Sequence, residues 1–363
     1  MSATTKCLLF CAGNPLMDEI YTKEVNGEFL KKSGLEPARA VIWPSAKLSD
    51  LMATCDASFE ATPGGSVLNT ARIFQAILAY NAKRSITTGD QFCVFYAGSV
   101  ANDATGNRMR EMLTEHKIEH RFCVTEDDST GHCAVFIDDN RDRSLVASLG
   151  ASTYFDPCLF DQPDVLRFLD EVPAVYFSGF FITDNYKSTQ KLIELAQQRG
   201  KSICFNLASP FVVNAFTDRL LAVVEACDVL LGNEAEYGSL AEVIDFPKEA
   251  DGKVDLSKLA VFLSTWKRGD RALRNVVVTQ GPHDTIVVDK ETDGKPVTFP
   301  VEAVPREQLI DTNGAGDAFA GGYTFGRIMG YSMQRSVHVA HLMAKMVIKR
   351  SGVQTEISDD DMQ

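Results

Sequence analysis

The chain has 363 residues, 45% of them hydrophobic and 23% charged, which predicts a soluble globular protein with one large α/β domain and an elaboration. Its net charge of −13 argues against sequence-independent binding of nucleic acid, because such binding depends on Lys and Arg contacts to phosphates. The first ten residues resemble neither a signal peptide nor a membrane span, and the nine cysteines include no Cys-x-x-Cys pair. We therefore expect a cytoplasmic protein with reduced cysteines and no zinc site or membrane partner.

An unbroken apolar run from Cys7 to Gly13 predicts a first strand, buried on both faces of a mainly parallel sheet. Polar Asn14 and Asp18 follow this strand directly. Both are candidate ligand contacts, because open α/β sheets bind ligands beyond the carboxyl ends of their strands. The alternative for either residue is a simple helix or turn cap.

The segment 19–59 is charged, weakly periodic and interrupted by two prolines, which indicates an insertion and not another βα unit. Gly64 and Gly65 then precede a helical pattern that starts near Ser66. Ser66 fits the N-cap position, and the double glycine lets the backbone come close to a bound ligand. An ordinary loop-to-helix junction is the alternative.

Short strand patterns at 121–124, 131–137 and 144–147 predict, with the insertion, a small separate sheet. The rest of the chain alternates strands and helices, which predicts a doubly wound, mainly parallel sheet flanked by helices. The acidic tail 358–363 is predicted to be disordered. Further strands are predicted at 92–98, 174–181, 202–207, 228–231 and 275–279, and helices at 187–199, 217–226 and 256–265.

The segment from Asp311 to Gly322 combines a glycine loop, a carboxylate and the start of a helix. Gly314 and Gly316 permit a tight turn, and the first amides of the following helix have no internal acceptor, so they can bind phosphate oxygens. Asp317 stands in the first turn, where its carboxylate can accept a proton from a hydroxyl. The segment is neither a P-loop nor a dinucleotide fingerprint, and a plain helix cap is the alternative.

The segments 61–71 and 311–322 resemble, in this order, the two signatures of the ribokinase-type (PfkB) carbohydrate and nucleoside kinases. The similarity covers nearly the whole chain and is greatest to the members that phosphorylate adenosine. Further matches lie at 13–18, 130–131, 143–145, 178–181, 206–207 and 232–236. The resemblance implies a ribokinase-like fold with a small discontinuous α/β lid domain. Its implied boundaries are 1–18, 65–118 and 147–363 for the large nucleotide-binding domain, and 19–64 and 119–146 for the lid.

The resemblance also implies an activity: ATP-dependent phosphorylation of the 5′-hydroxyl of adenosine, giving AMP and ADP, with Mg²⁺ and by a monomer. The implied catalytic residues are Asp317, Arg143, Gly314, Ala315 and Gly316. The residues implied to bind adenosine are Asn14, Leu16, Asp18, Gly64, Gly65, Ser66, Asn69, Cys133, Phe180 and Asn313. The residues implied to bind ATP are Asn206, Asn233, Thr279, Gly281 and His341. Glu236 is implied to position Mg²⁺ through water.

Two other functions stay open at this stage. A sugar kinase of the same fold would share the glycine loop and Asp18, but would need polar groups where this chain has Leu16, Cys133 and Phe180. A nucleoside-binding regulator without catalysis is the second alternative, against which the presence of Asp317 and Arg143 argues. The chain also departs from related sequences at Arg306, where they tend to carry Gln, so contacts from that loop are left open.

Overall fold

The structure, a computed structural model, describes residues 5–21, 27–35, 40–55, 58–84, 91–137 and 143–362. The strands in these ranges are β1 Thr5–Ala12, β2 Leu16–Tyr21, β3 Ala40–Ile42, β4 Phe59–Gly64, β5 Gln91–Ala101, β6 Glu119–Thr125, β7 His132–Ile137, β8 Arg143–Ser148, β9 Ala174–Ser178, β10 Ser202–Asn206, β11 Val229–Asn233, β12 Asn275–Gln280, β13 His283–Val288 and β14 Pro296–Phe299. The helices are α1 Gly27–Lys32, α2 Ser45–Thr54, α3 Ser66–Arg84, α4 Ala104–Glu115, α5 Pro163–Glu171, α6 Gly179–Asp184, α7 Tyr186–Gln198, α8 Pro210–Ala215, α9 Thr217–Ala226, α10 Glu234–Val243, α11 Leu256–Thr265, α12 Ala315–Ile328 and α13 Met333–Ile348. Among the described residues, no helix combines the length and apolarity that crossing a bilayer requires.

Nine of the described strands form one large sheet, in the order β14-β13-β12-β11-β10-β9-β1-β5-β6. Pairing is parallel from β12 to β6, and β13 and β14 add an antiparallel edge. Both faces are buried, because neighbouring residues such as Leu9 and Phe10 point into two different apolar clusters. Helices α5, α7, α9, α10 and α11 cover one face, and α3, α4, α12 and α13 cover the other. The predicted doubly wound, mainly parallel fold is confirmed.

A second sheet of five described strands, in the order β3-β8-β7-β2-β4, lies beside the first. One face packs Tyr21 and Phe136 against α1 and α2. The other face carries Ile20 and Cys133, with Leu16 packed against them. This sheet is the predicted small sheet, and the exact domain boundaries stay a prediction.

Strand β6 corrects one part of the sequence analysis. The prediction placed residues 119–146 in the small sheet, but Glu119–Thr125 pairs in parallel with β5 along all seven residues and forms an edge of the large sheet. The burial of β6 alternates between exposed and half-buried. That pattern is typical of an edge strand in either sheet, so the pairing partner decides the assignment.

The acidic tail is also more ordered than predicted. Residues Asp360–Met362 form a short 3₁₀ turn. Arg350 Nη2 donates to both carboxylate oxygens of Asp361, at 2.8 and 2.7 Å, and the N–H of Ser358 donates to the same carboxylate at 2.7 Å. The predicted disorder of 358–362 is therefore wrong, because the ion pair between Arg350 and Asp361 fixes the segment. Residue 363 lies outside the described ranges.

Candidate active site

A cleft of about 470 Å³ separates the small sheet from the carboxyl ends of the large-sheet strands β10, β11 and β12. The starts of α3 and α12 face into it. Many of its lining residues are ones that the sequence indicates: Leu16, Asp18, Gly65, Ser66, Asn69, Cys133, Phe180, Asn206, Asn233, Glu236, Thr279, Asn313, Gly314, Gly316 and Asp317. The fold thus brings together two signatures that are about 250 residues apart in the chain.

The sequence analysis missed several residues that also line this cleft. Each of these residues lies within one of the motifs described above or next to one. A position close to a motif was therefore the signal that could have identified them. They are Leu145, Ala208, Leu231, Gly232, Thr312 and Phe319.

Asp317 occupies the first turn of α12 and is held from α3 by two hydrogen bonds. Ser66 Oγ donates to Asp317 Oδ1 at 2.7 Å, and Asn69 Nδ2 donates to Oδ2 at 3.1 Å. Thr70 Oγ1 donates to the main-chain oxygen of Asp317 at 3.2 Å. Burial raises the pKa of Asp317 to about 6, against the two side-chain hydrogen bonds, which lower it. A carboxylate with this pKa is ionised at neutral pH and suited to accepting a proton.

The glycine loop before α12 depends on Gly314, the N-cap residue, which has φ 73°. A Cβ at this position would lie 2.3 Å from Val353 Cγ2, so another residue would be both strained and obstructed. The N–H of Ala315 donates to Thr312 O at 3.3 Å. Within the described residues, the amides of Gly316 and Asp317 have no protein acceptor, so they are available to an anion at the positive end of the helix.

Asp18 lies in β2, on the small-sheet side of the cleft. A Cβ at Gly64 would lie 2.1 Å from the Asp18 carboxyl atoms, and one at Gly65 (φ 93°) would lie 2.3 Å from Asn14 O. The double glycine is therefore required where β4 meets α3. Burial raises the pKa of Asp18 to about 7, nearby Arg72 lowers it, and Asp317 raises it.

Asn14 lies beneath the cleft and is not among its lining residues. Its Nδ2 donates to Phe180 O at 3.0 Å, and its Oδ1 accepts from Asn185 Nδ2 at 2.9 Å. The predicted strand 174–181 ends at Ser178, so Phe180 belongs to α6. The residue is 38% exposed and lines the cleft. Asn14 thus fixes the position of Phe180, and its direct contact with a ligand stays a prediction.

Glu236 stands in the first turn of α10 and forms a capping box with Asn233. Its two carboxylate oxygens accept from the N–H and the Nδ2 of Asn233, both at 2.9 Å. Burial raises the pKa of Glu236 to about 7, and the negative charges of Asp317 and Glu234 raise it as well. In the described part of the chain, no cluster of three or more His, Cys, Asp or Glu residues could hold a metal ion.

The remaining residues predicted for ATP are divided between the cleft and its surroundings. Thr279 lines the cleft and donates to Gly232 O at 3.3 Å. Gly281 lies in the turn between β12 and β13, outside the lining. His341, in α13, has its Nε2 2.9 Å from Thr285 Oγ1. It is not itself a lining residue, but its ring centroid lies 5.7 Å from that of Phe319, which lines the cleft. The side chain of Arg143, predicted to be catalytic, lies outside the described part of the chain.

Comparison with known proteins agrees with the fold and with the resemblance of the motifs. Residues 48–360 match the pfkB family carbohydrate kinases. The chain is 32% identical to the adenosine kinase of Schizosaccharomyces pombe over 349 residues, which cover 95% of both chains.

Two solved structures are similar over almost their whole length. Anopheles gambiae adenosine kinase, in complex with P1,P4-di(adenosine-5) tetraphosphate, is 28% identical with a TM-score of 0.81, covering 96% of this chain and 97% of that one. Schistosoma mansoni adenosine kinase, in complex with adenosine and AMP, is 26% identical with a TM-score of 0.80, covering 95% and 96%. The chain therefore belongs to the pfkB family of carbohydrate kinases, in the branch of the adenosine kinases.

Proposed function

We propose that this protein transfers the γ-phosphoryl group of ATP to the 5′-hydroxyl of adenosine, giving AMP and ADP. The observation that carries the proposal is the convergence of two carboxylates on one cleft: Asp317 at the start of α12 and Asp18 on the small sheet. The relatives that bind adenosine, AMP or two adenosines joined by four phosphates support this choice of substrates.

In this proposal Asp317 is the general base. Its carboxylate accepts the proton of the 5′-hydroxyl while the hydroxyl oxygen bonds to the γ-phosphorus and the bond from that phosphorus to the β–γ bridging oxygen breaks. The hydrogen bonds from Ser66 and Asn69 hold the carboxylate in place before the reaction. The open amides of Gly316 and Asp317 stabilise the charge on the transferring group. Arg143 is proposed, from its motif alone, to contact the same group.

Mg²⁺ fits the donor set at the ATP end of the cleft. Glu236 is 5% exposed, and Asp317 adds negative charge beside it, which a cation would relieve. Because Glu236 already accepts two hydrogen bonds from Asn233, it suits contact through water better than a full set of protein ligands. Bound Mg²⁺ would neutralise charge on the phosphates of ATP.

The acceptor is proposed to bind with its ribose hydroxyls against Asp18 and its base against Leu16, Cys133 and Phe180, which line the same cleft. Asn206, Asn233 and Thr279 lie on the opposite side and are proposed for ATP. We also propose a monomeric, cytoplasmic enzyme with no partner beyond these two substrates.

Release of ADP, followed with adenosine, inosine, ribose and fructose as acceptors, tests the proposed function. We expect ADP to form with adenosine at a kcat/KM far above that for the two sugars. Activity greatest with a sugar would indicate another kinase of the family. Binding of adenosine without ADP release would indicate a regulator.

The pH dependence of the reaction follows from the two carboxylates. Asp18, with a pKa of about 7, and Asp317, with a pKa of about 6, must both be ionised to accept hydrogen bonds and a proton. Activity is therefore present above these pKa values and is lost as the pH falls through them. We expect kcat/KM for adenosine to level off above about pH 8 and to fall roughly tenfold to a hundredfold per pH unit below pH 6. Asp18→Asn is the control and is assayed at saturating ATP and Mg²⁺, so that Glu236 stays ionised; it should lose the inflection near 7 and keep the one near 6. A flat wild-type profile from 6 to 8 would contradict the assignment.

The ribose contact predicts discrimination against 2′-deoxyadenosine. Without the 2′-hydroxyl, the half-buried Asp18 carboxylate loses a hydrogen bond, which costs on the order of 1.5–3 kcal/mol. We expect kcat/KM for 2′-deoxyadenosine to be roughly ten- to a hundredfold below that for adenosine, measured by the same ADP assay. Equal values for the two nucleosides would remove Asp18 from this role.

A further inference from the structure

Arg72 is a buried cation beside the cleft that the mechanism above does not use. It lies on α3, one turn after Asn69, and is 4% exposed. Its Nη1 donates to Pro63 O at 2.6 Å and lies 3.5 Å from Asn69 Oδ1, while Nη2 donates to Thr62 Oγ1 at 3.1 Å. One side chain of the large-sheet layer thus contacts strand β4 of the small sheet.

The first consequence concerns Asn69. An amide side chain has one donor end and one acceptor end, and a guanidinium can only donate. With Arg72 beside Oδ1, the Nδ2 end of Asn69 points to Asp317, to which it donates at 3.1 Å. The reversed amide would place its oxygen against the Asp317 carboxylate and its NH₂ against the guanidinium, so both contacts would be repulsive.

The second consequence concerns Asp18. Asp18 pairs with Thr62 across β2 and β4, so their side chains share one face of the sheet, the face on which Arg72 contacts Thr62. Among the described residues, no carboxylate lies within ion-pair distance of Arg72. Its charge is therefore balanced by neutral oxygens and, at longer range, by Asp18.

The other charged and titratable groups around this pair lie on several elements. Asp317 of α12 and Asp311 of the glycine loop oppose ionisation of Asp18. Cys133 of β7 lies beside Asp18, and His116 at the end of α4 interacts with Arg72. Arg72 supplies the opposing positive charge in this otherwise acidic site.

We propose that Arg72 is a positioning residue of the substrate site: it orients Asn69 toward Asp317 and supplies the buried positive charge that faces Asp18. The inference rests on the proposed function, because it assigns Asp18 to the ribose hydroxyls. Removal of Arg72 takes away the one positive charge that, among the described residues, favours ionisation of Asp18. A larger share of Asp18 is then protonated at neutral pH and cannot accept from both hydroxyls.

Calorimetric binding of adenosine between about pH 5.5 and 9 tests this inference without requiring turnover. For the wild type we expect the dissociation constant to rise as the pH falls through about 7. For Arg72→Gln we expect this inflection to move up by at least about one unit, which weakens binding about fivefold at pH 7 and little at pH 9. An unmoved inflection in a folded Arg72→Gln protein would overturn the proposal.

Two further variants separate positioning from a structural role. Arg72→Lys keeps the charge but cannot reach three acceptors, so we expect an unmoved inflection and a kcat about tenfold lower, since Asn69 is released. If Arg72→Gln does not fold, Arg72→Lys provides the test of the proposal. An unchanged kcat in Arg72→Lys would contradict it. Arg268→Gln is the control: Arg268 is similarly buried and donates to the carbonyls of Ala272 and Cys227 and to the Asp228 carboxylate, but lies far from the cleft. Its loss should lower stability without moving the inflection. A wild type that neither binds adenosine nor releases ADP would instead refute the proposed function.

Discussion

Asp317→Asn is expected to lower kcat by about 10⁴-fold or more while KM for adenosine changes little. The substitution keeps the size of the side chain but removes its capacity to accept a proton. If Asp317 acts on the hydroxyl in the transition state, the loss appears in kcat and not in ground-state binding. The measurement is steady-state ADP release with adenosine at saturating ATP.

The contacts of Asp317 define the control for this prediction. An Asn at 317 can still accept the hydrogen bond of Ser66, but it has only one oxygen for the two donors Ser66 and Asn69. Loss of one such bond costs about 1 kcal/mol, so the variant should fold, melt near the wild type and bind adenosine by calorimetry. A folded variant that keeps more than about a tenth of the wild-type kcat would show that Asp317 is not the catalytic base.

Arg274→Met is expected to have the largest effect on stability, lowering the free energy of unfolding by about 3–5 kcal/mol. Arg274 is fully buried and joins the ends of two helices that cover the large sheet. Its guanidinium donates to Cys227 O at 3.2 Å, to Leu263 O, and to Glu225 O and Trp266 O, both at 3.4 Å. Met fills similar space but removes the side-chain donor to Leu263 O and Trp266 O, and each buried acceptor without a partner costs about 1–3 kcal/mol. Cys227 O and Glu225 O still accept from Arg268 and Arg271.

Urea denaturation with an unchanged m-value measures this loss. Arg271→Met is the matched control, because Arg271 also donates to carbonyls at the end of α9, those of Ala226 and Glu225, but is exposed to solvent. Water can replace its contacts, so we expect a loss below about 1 kcal/mol. Equal losses for the two variants would mean that burial of Arg274 is not the source of its contribution.

The local sequence was sufficient to predict most of the strands and the glycine loop. Buried parallel strands are continuous apolar runs, and β1, β5 and β12 lie where such runs occur. The turn before α12 needs residues without a Cβ, so Gly314 and the adjacent Asp317 could be recognised as a pattern of neighbours. In both cases the physical requirement acts over a few consecutive residues, and a single sequence records it.

Other features depended on contacts between distant parts of the chain. Strand β6 joins the large sheet because β5 offers it a free edge, and the tail is ordered because Asp361 meets Arg350. The local sequence around Arg72 is typical of an exposed cation on an amphipathic helix. In the structure Arg72 is buried, because β4 packs over it. The convergence of Asp18 and Asp317 on one cleft is a further example. Motifs are sufficient to name the two residues. Their proximity and their raised pKa values arise only when the small sheet packs over the large one and removes water from both carboxylates.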